Sequence, residues 1–152
     1  MASLSPAFRV ESRKIHQEHE TIDQDLIELE TALDHLVTRS KMRGQTVTAE
    51  KVLQCGRRLA TYLPAHCARE EAMLFDTVAN VSPQLAQFGV EMKRQHRELL
   101  RRLDSFILSL GHLESSENRD NAVLHLKEEG CKLAAEFRQH IAAEERELSG
   151  FL

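Results

Sequence analysis

The sequence predicts an all-α protein, an antiparallel up-down-up-down four-helix bundle. Clustered turn-forming residues fall at three short places, and the long segments between them hold only Pro64 and isolated glycines as breakers. Each of those segments carries apolar side chains at alternating three- and four-residue steps, the spacing of a helix with one face in a core.

The turns fall at Gly44-Gln45-Thr46, at Asn80-Val81-Ser82-Pro83 and from Gly111 through Asn118. They divide the chain into helices expected at 8–41, 48–76, 83–111 and 117–149, after a tail of about seven residues, 1–7. Connections this short favour antiparallel neighbours, so the whole chain, 1–152, reads as one domain. In the first helix the stripe is Ile15, His19, Ile22, Leu26, Leu29, Leu33 and Leu36. In the second it is Val52, Cys55, Leu59, Tyr62, His66, Glu70 and Met73. Ser82-Pro83 opens the third, serine as N-cap and proline in the first turn. Its stripe is Met92, His96, Leu99, Leu103, Phe106 and Leu110. The fourth carries Leu126, Gly130, Leu133, Phe137, His140, Glu144 and Leu148. Pro64 removes a hydrogen bond inside the second helix, so a kink is expected just before His66.

A net charge of −4 offers no electrostatic footing for nucleic acid or an anionic membrane. No apolar run reaches the roughly 20 residues that span a bilayer, and the N-terminus lacks a secretory-signal pattern. The three cysteines, Cys55, Cys67 and Cys131, are odd in number and show no CxxC spacing, which suits a reducing cytoplasm.

Every stripe is interrupted by one histidine, and two also admit a glutamate one turn later. Imidazoles and carboxylates are costly in an apolar core unless something pairs with them. The helix bounds place His19, His66, His96 and His140 roughly 15–20 Å from the same end of the bundle, at 1.5 Å per residue. His66-x-x-x-Glu70 and His140-x-x-x-Glu144 put imidazole and carboxylate on one helical face. A carboxylate can bridge two cations while the neighbouring imidazole caps one. Four imidazoles and two bridging glutamates thus give each of two metals a protein shell, and mixed nitrogen and oxygen donors suit iron or manganese, with zinc possible. The spacing alone is unspecific, since His16-x-x-x-Glu20 and His19-x-x-x-Asp23 also satisfy it. The joint pattern of stripe position and axial level is what sets the six residues apart from satisfied core histidines.

The same residues resemble the hemerythrin, or HHE cation-binding, family. EHETIDQDL around His19, HCAREEAMLF from His66, QHRELLRRL around His96 and HIAAEERELSGFL from His140 are each similar to the corresponding family segment, in the same order. The resemblance implies an antiparallel four-helix bundle around an oxo- or hydroxo-bridged di-iron centre. It implies His19, His66, His96 and His140 as terminal ligands and Glu70 and Glu144 as bridges. Oxygen-carrying members have H-x-x-x-H in the third helix, whereas Met92 and Leu100 stand four residues either side of His96 here. Their fourth helix spaces histidine and acid by five, which would select Glu145, but Glu144 is the residue on the stripe. The pattern is closer to the iron-sensing and the iron–sulfur-repair or nitrosative-stress branches.

The remaining candidates read more simply. His16 and Asp23 flank the stripe of the first helix, and Glu71 and Glu145 read as solvent-facing or salt-bridging beside the site. Tyr62 could donate toward a bound oxygen species but reads as packing. Cys55 and Cys67 read as apolar fillers, Cys67 projecting about 100° from His66. His35, His112 and His125 have no assigned role. The first functional expectation is a di-iron protein that binds or senses O2, NO or iron. The alternative is a di-iron oxidoreductase acting on peroxide, nitric oxide or ferrous iron, with no activity expected without metal. A plain helical interaction module with incidental histidines would leave the clustering unexplained.

Overall fold

The computed structural model describes residues 4–42, 49–113 and 118–152. Helix α1 spans Pro6–Ser40, with the Ser5 hydroxyl accepting from the Phe8 amide at 3.1 Å and proline in its first turn. Helix α2 begins as Glu50–Arg69, continues as a π-helical stretch Glu70–Phe75 and ends as α-helix Asp76–Val78. Helix α3 spans Pro83–Gly111 and starts as expected, with the Ser82 side chain accepting from the Leu85 amide at 3.1 Å. Helix α4 spans Arg119–Glu147, capped by Asn118. There is no strand among the described residues. The tail expected over 1–7 is already helical from Pro6. The expected Gly44-Gln45-Thr46 turn and the helix starts at 48 and 117 lie outside the described residues.

Cross-helix partners fix the directions. Along α1 the partners on α4 fall in number, from Glu145 with His16 to Arg138 with Asp23 and Lys127 with Asp34. On α2 they fall from Arg69 with Glu18 to Arg58 with Asp25. Lys93 of α3 meets Asp76 while Ile107 lies against Gly56, and Gln95 meets His140 of α4 while Arg102 meets Glu136. Each helix therefore runs opposite to its two neighbours.

The stripes of α1, α3 and α4 are buried at every expected position. That of α2 departs twice. Leu63 takes the core position expected for Tyr62, which is half-buried, and Leu74 and Phe75 take the place of Met73. The π stretch explains the second departure, because i→i+5 bonding widens the turn and shifts the inward face by a residue. Pro64 lies on the exposed side, and α2 stays helical through it.

Burial divides the interior into two apolar clusters. The larger contains Ile22, Leu63, Leu99 and Phe137; the smaller contains Ile15, Leu74, Met92 and Leu148. On every helix the site histidine falls between a residue of one cluster and a residue of the other. Four helices thus deliver their polar intrusions to one layer, walled above and below by hydrocarbon.

Candidate metal centre

All six sequence-predicted residues meet in this layer. His19, His66, His96 and His140 are 2–5 % exposed, and Glu70 and Glu144 are 0 % exposed. The rings form two pairs, His19 with His66 at 5.1 Å between centroids and His96 with His140 at 4.7 Å. Glu70 touches both. Its Oε1 lies 2.8 Å from Nε2 of His19 and of His66, and its Oε2 lies 3.0 Å from Nε2 of His96. Glu144 has Oε1 2.9 Å from Nε2 of His140 and Oε2 3.3 Å from Nε2 of His19.

Two groups of inward donor atoms are compact enough to hold an ion. One is His19, His66 and Glu70; the other is His96, His140, Glu70 and Glu144, with donor atoms within 4.8 Å of one another in each. Glu70 is common to both, the position of a bridge. Glu70 Oε2, His96 Nε2, His140 Nε2 and both Glu144 oxygens are fully buried without an aligned hydrogen-bond partner. Buried polar atoms this close together and without a hydrogen-bond partner call for one, and a cation among them would supply it. Nitrogen and carboxylate oxygen donors in this number fit iron or manganese, and the geometry admits two cations.

Electrostatics holds the layer together. Burial alone would lower the His19 pKa, but the close carboxylates of Glu144 and Glu70, and Glu145 at its outer nitrogen, overcome it and push it up to about 10. His66 and His96 are also raised against the cost of burial. Burial would raise the Glu70 carboxyl, but the imidazoles of His19, His66 and His96 set against it hold it well below the usual carboxylate range. Glu144 is lowered in the same way, by His140, His19 and His96, against its burial and the Glu70 charge.

The outer nitrogens reveal residues that sequence reasoning underrated. Glu18 of α1 lies 2.7 Å from Nδ1 of His66 on α2, and Glu71 of α2 lies 2.9 Å from Nδ1 of His96 on α3. Gln95 of α3 lies 2.8 Å from Nδ1 of His140 on α4, and Glu145 of α4 lies 2.7 Å from Nδ1 of His19 on α1. Each helix thus steadies the imidazole of the next, closing a ring around the bundle. An acceptor at Nδ1 keeps a proton there, so the proton a metal would displace is the inner one, and the lone pair it frees on Nε2 faces inward as a metal ligand needs. Glu71 and Glu145, read from sequence as peripheral, are members of this ring, and Glu145 also accepts from the exposed His16 at 2.9 Å. The ring has a sequence signature. Its members immediately precede the histidines of α1 and α3 and immediately follow the central glutamates of α2 and α4.

A small cavity of about 10 Å³ lies within the layer, between His66, Glu70, His96 and His140, with Ile22, Leu63, Cys67, Phe137 and Ile141 as its apolar wall. That volume is about one water-sized guest. Cys67, read as a filler, is a wall of this cavity, though it joins neither donor group. Tyr62 lines a surface pocket with Arg58, His66 and Arg69. Asp23 pairs with Arg138, His125 with Glu129, and His35 is exposed, so none reaches the centre.

Fold and site together define a cation-binding helical bundle. The sequence model of the hemerythrin HHE cation binding domain matches residues 10–152, and the chain belongs to that family. No curated protein and no solved structure gives a significant match. No helix among the described residues is long and apolar enough to cross a membrane.

Proposed function

We propose that this protein holds two iron ions between its helices and uses them to bind or sense a small ligand, O2 or NO, or iron itself. The observation that carries this reading is Glu70, wholly buried and shared by two separate donor groups. His19 and His66 would hold one ion and His96 and His140 the other, with Glu70 common to both and Glu144, 3.3 Å from His19 Nε2, the second carboxylate available between them. Iron supplies a change of oxidation state and coordination positions open to a small molecule. The chain supplies the rest. Imidazoles steadied at Nδ1 keep Nε2 aimed inward, and the two apolar clusters exclude bulk water from the layer. Leu63, Cys67 and Phe137 give the space between the ligands an apolar wall, which suits a small uncharged guest such as O2 or NO.

The test is an anaerobic titration with ferrous iron, followed by O2 or NO, read by optical absorption. Uptake of about two irons per chain, followed by a stoichiometric, saturable spectral change, supports binding or sensing. Continued consumption of NO, peroxide or ferrous iron over many equivalents would replace it with the oxidoreductase reading. A protein that takes up iron but changes with none of these ligands contradicts both.

A further inference from the structure

Three members of the Nδ1 ring are carboxylates, Glu18, Glu71 and Glu145, and one is the neutral amide of Gln95. An amide is ambiguous where a carboxylate is not. Turned one way its oxygen accepts from Nδ1–H of His140; turned the other way its NH2 would donate to Nδ1 and force the proton onto Nε2. The second arrangement would cap the inward nitrogen and remove it as a ligand.

The neighbouring groups decide between the two. Gln95 Nε2 donates to Glu91 Oε1 at 2.9 Å, one turn back on the same helix. Glu91 is in turn held by Arg94, whose Nε and Nη2 donate to its two oxygens at 3.0 and 2.7 Å. Hydrogen bonds from Arg94 and Gln95 hold the Glu91 carboxyl down at about 2, so it is an anionic acceptor throughout the neutral range. A flipped Gln95 would set its oxygen against that anion. The amide is therefore locked with its oxygen toward His140.

We propose that Gln95, fixed by Glu91 and Arg94, is the positioning residue that presents His140 to the metal it serves. It acts on one of the two metal positions, because the other three imidazoles have carboxylates of their own. The inference rests on the two-metal reading above.

The test uses Zn(II), a redox-inert probe, and chelator competition to resolve two dissociation constants for the full-length protein. Gln95→Leu is expected to weaken one step about 10- to 100-fold, the usual effect of removing such an outer partner, and to leave the other within about twofold. Gln95→Glu keeps an acceptor at Nδ1 and is expected to hold that step at or tighter than wild type. Glu91→Leu frees the amide to turn and is expected to weaken the same step less than Gln95→Leu does. Melting of the metal-free variants within a few degrees of wild type separates this role from a merely structural one. If Gln95→Leu leaves both constants intact, weakens both equally, or is matched by Gln95→Glu, the inference is overturned while the two-metal reading stands. If wild-type protein itself binds fewer than two zinc ions, the two-metal reading fails and the inference falls with it.

Discussion

Stripped of metal, the protein should lose stability as pH rises above neutrality. The reason lies in the buried layer, where His19 is pushed up to about 10 by Glu144, Glu70 and Glu145 despite its burial. An unfolded histidine titrates near 6.5. Below about 6.5 both states carry the proton and its full stabilisation is present. Between about 6.5 and 10 the folded state retains a proton that the unfolded state has released, and stability falls by about 1.4 kcal/mol per pH unit for each such imidazole. For His19 alone the window of about 3.5 units amounts to something on the order of 5 kcal/mol. His66 and His96 are raised as well and steepen the loss. Glu70 and Glu144 work at the other end. Their lowered carboxyls contribute above the ordinary glutamate value and lose that contribution as pH falls. Metal-free protein should be most stable between about pH 4.5 and 6.5. The assay is urea denaturation of chelator-treated protein at half-unit steps from pH 4 to 8.5. Work below about pH 8.5 avoids the cysteines, whose unfolded thiols ionise near there. With metal bound the dependence should invert, because each ion displaces protons from imidazoles and its affinity rises with pH. Stability of the metal-free protein that is flat or rising from pH 6.5 to 8.5 would show that the buried imidazoles are not held protonated by their carboxylates, as would an unchanged slope in Glu70→Gln.

Two further perturbations probe the parts that position the site. Gly130 sits where α4 crosses Leu33 and Phe106, and a Cβ there would lie 2.4 Å from Leu33 Cδ1 and 3.1 Å from Phe106 Cε2. Gly130→Val should destabilise by about 1–3 kcal/mol through overpacking, measured by chemical denaturation; a gain in stability would count against the close crossing. Glu18 is buried between His66 and Arg69. Glu18→Leu should weaken metal binding about 10- to 100-fold while Arg69→Leu, which leaves the His66 contact in place, should weaken it less; equal effects would show that the ion pair, not the imidazole contact, is what matters.

Much of this was legible in the residues. The helices of α1, α3 and α4 follow from their apolar spacing, and the four histidines announce themselves by interrupting it. The inward Glu144 was distinguishable from Glu145 because only one lies on the stripe. Two features were not legible in the same way. The shift from Met73 to Leu74 and Phe75 depends on π bonding in α2, which alternating three- and four-residue steps do not encode. The Nδ1 ring consists of polar residues at the margins of the stripes, where hydrophobic periodicity places solvated side chains. Glu18 is buried because a partner on another helix receives it. Such pairing depends on the neighbouring helix and its register, which no single segment contains.

A pair of cations held between Glu70 and Glu144 can be counted. Elemental mass spectrometry gives metals per chain for protein expressed with iron and purified without chelators, beside Glu70→Ala and Glu144→Ala. Close to two irons per wild-type chain are expected, with metal lost in both variants. Wild-type protein that stays folded and metal-free, and refuses iron under anaerobic conditions, would contradict such a pair.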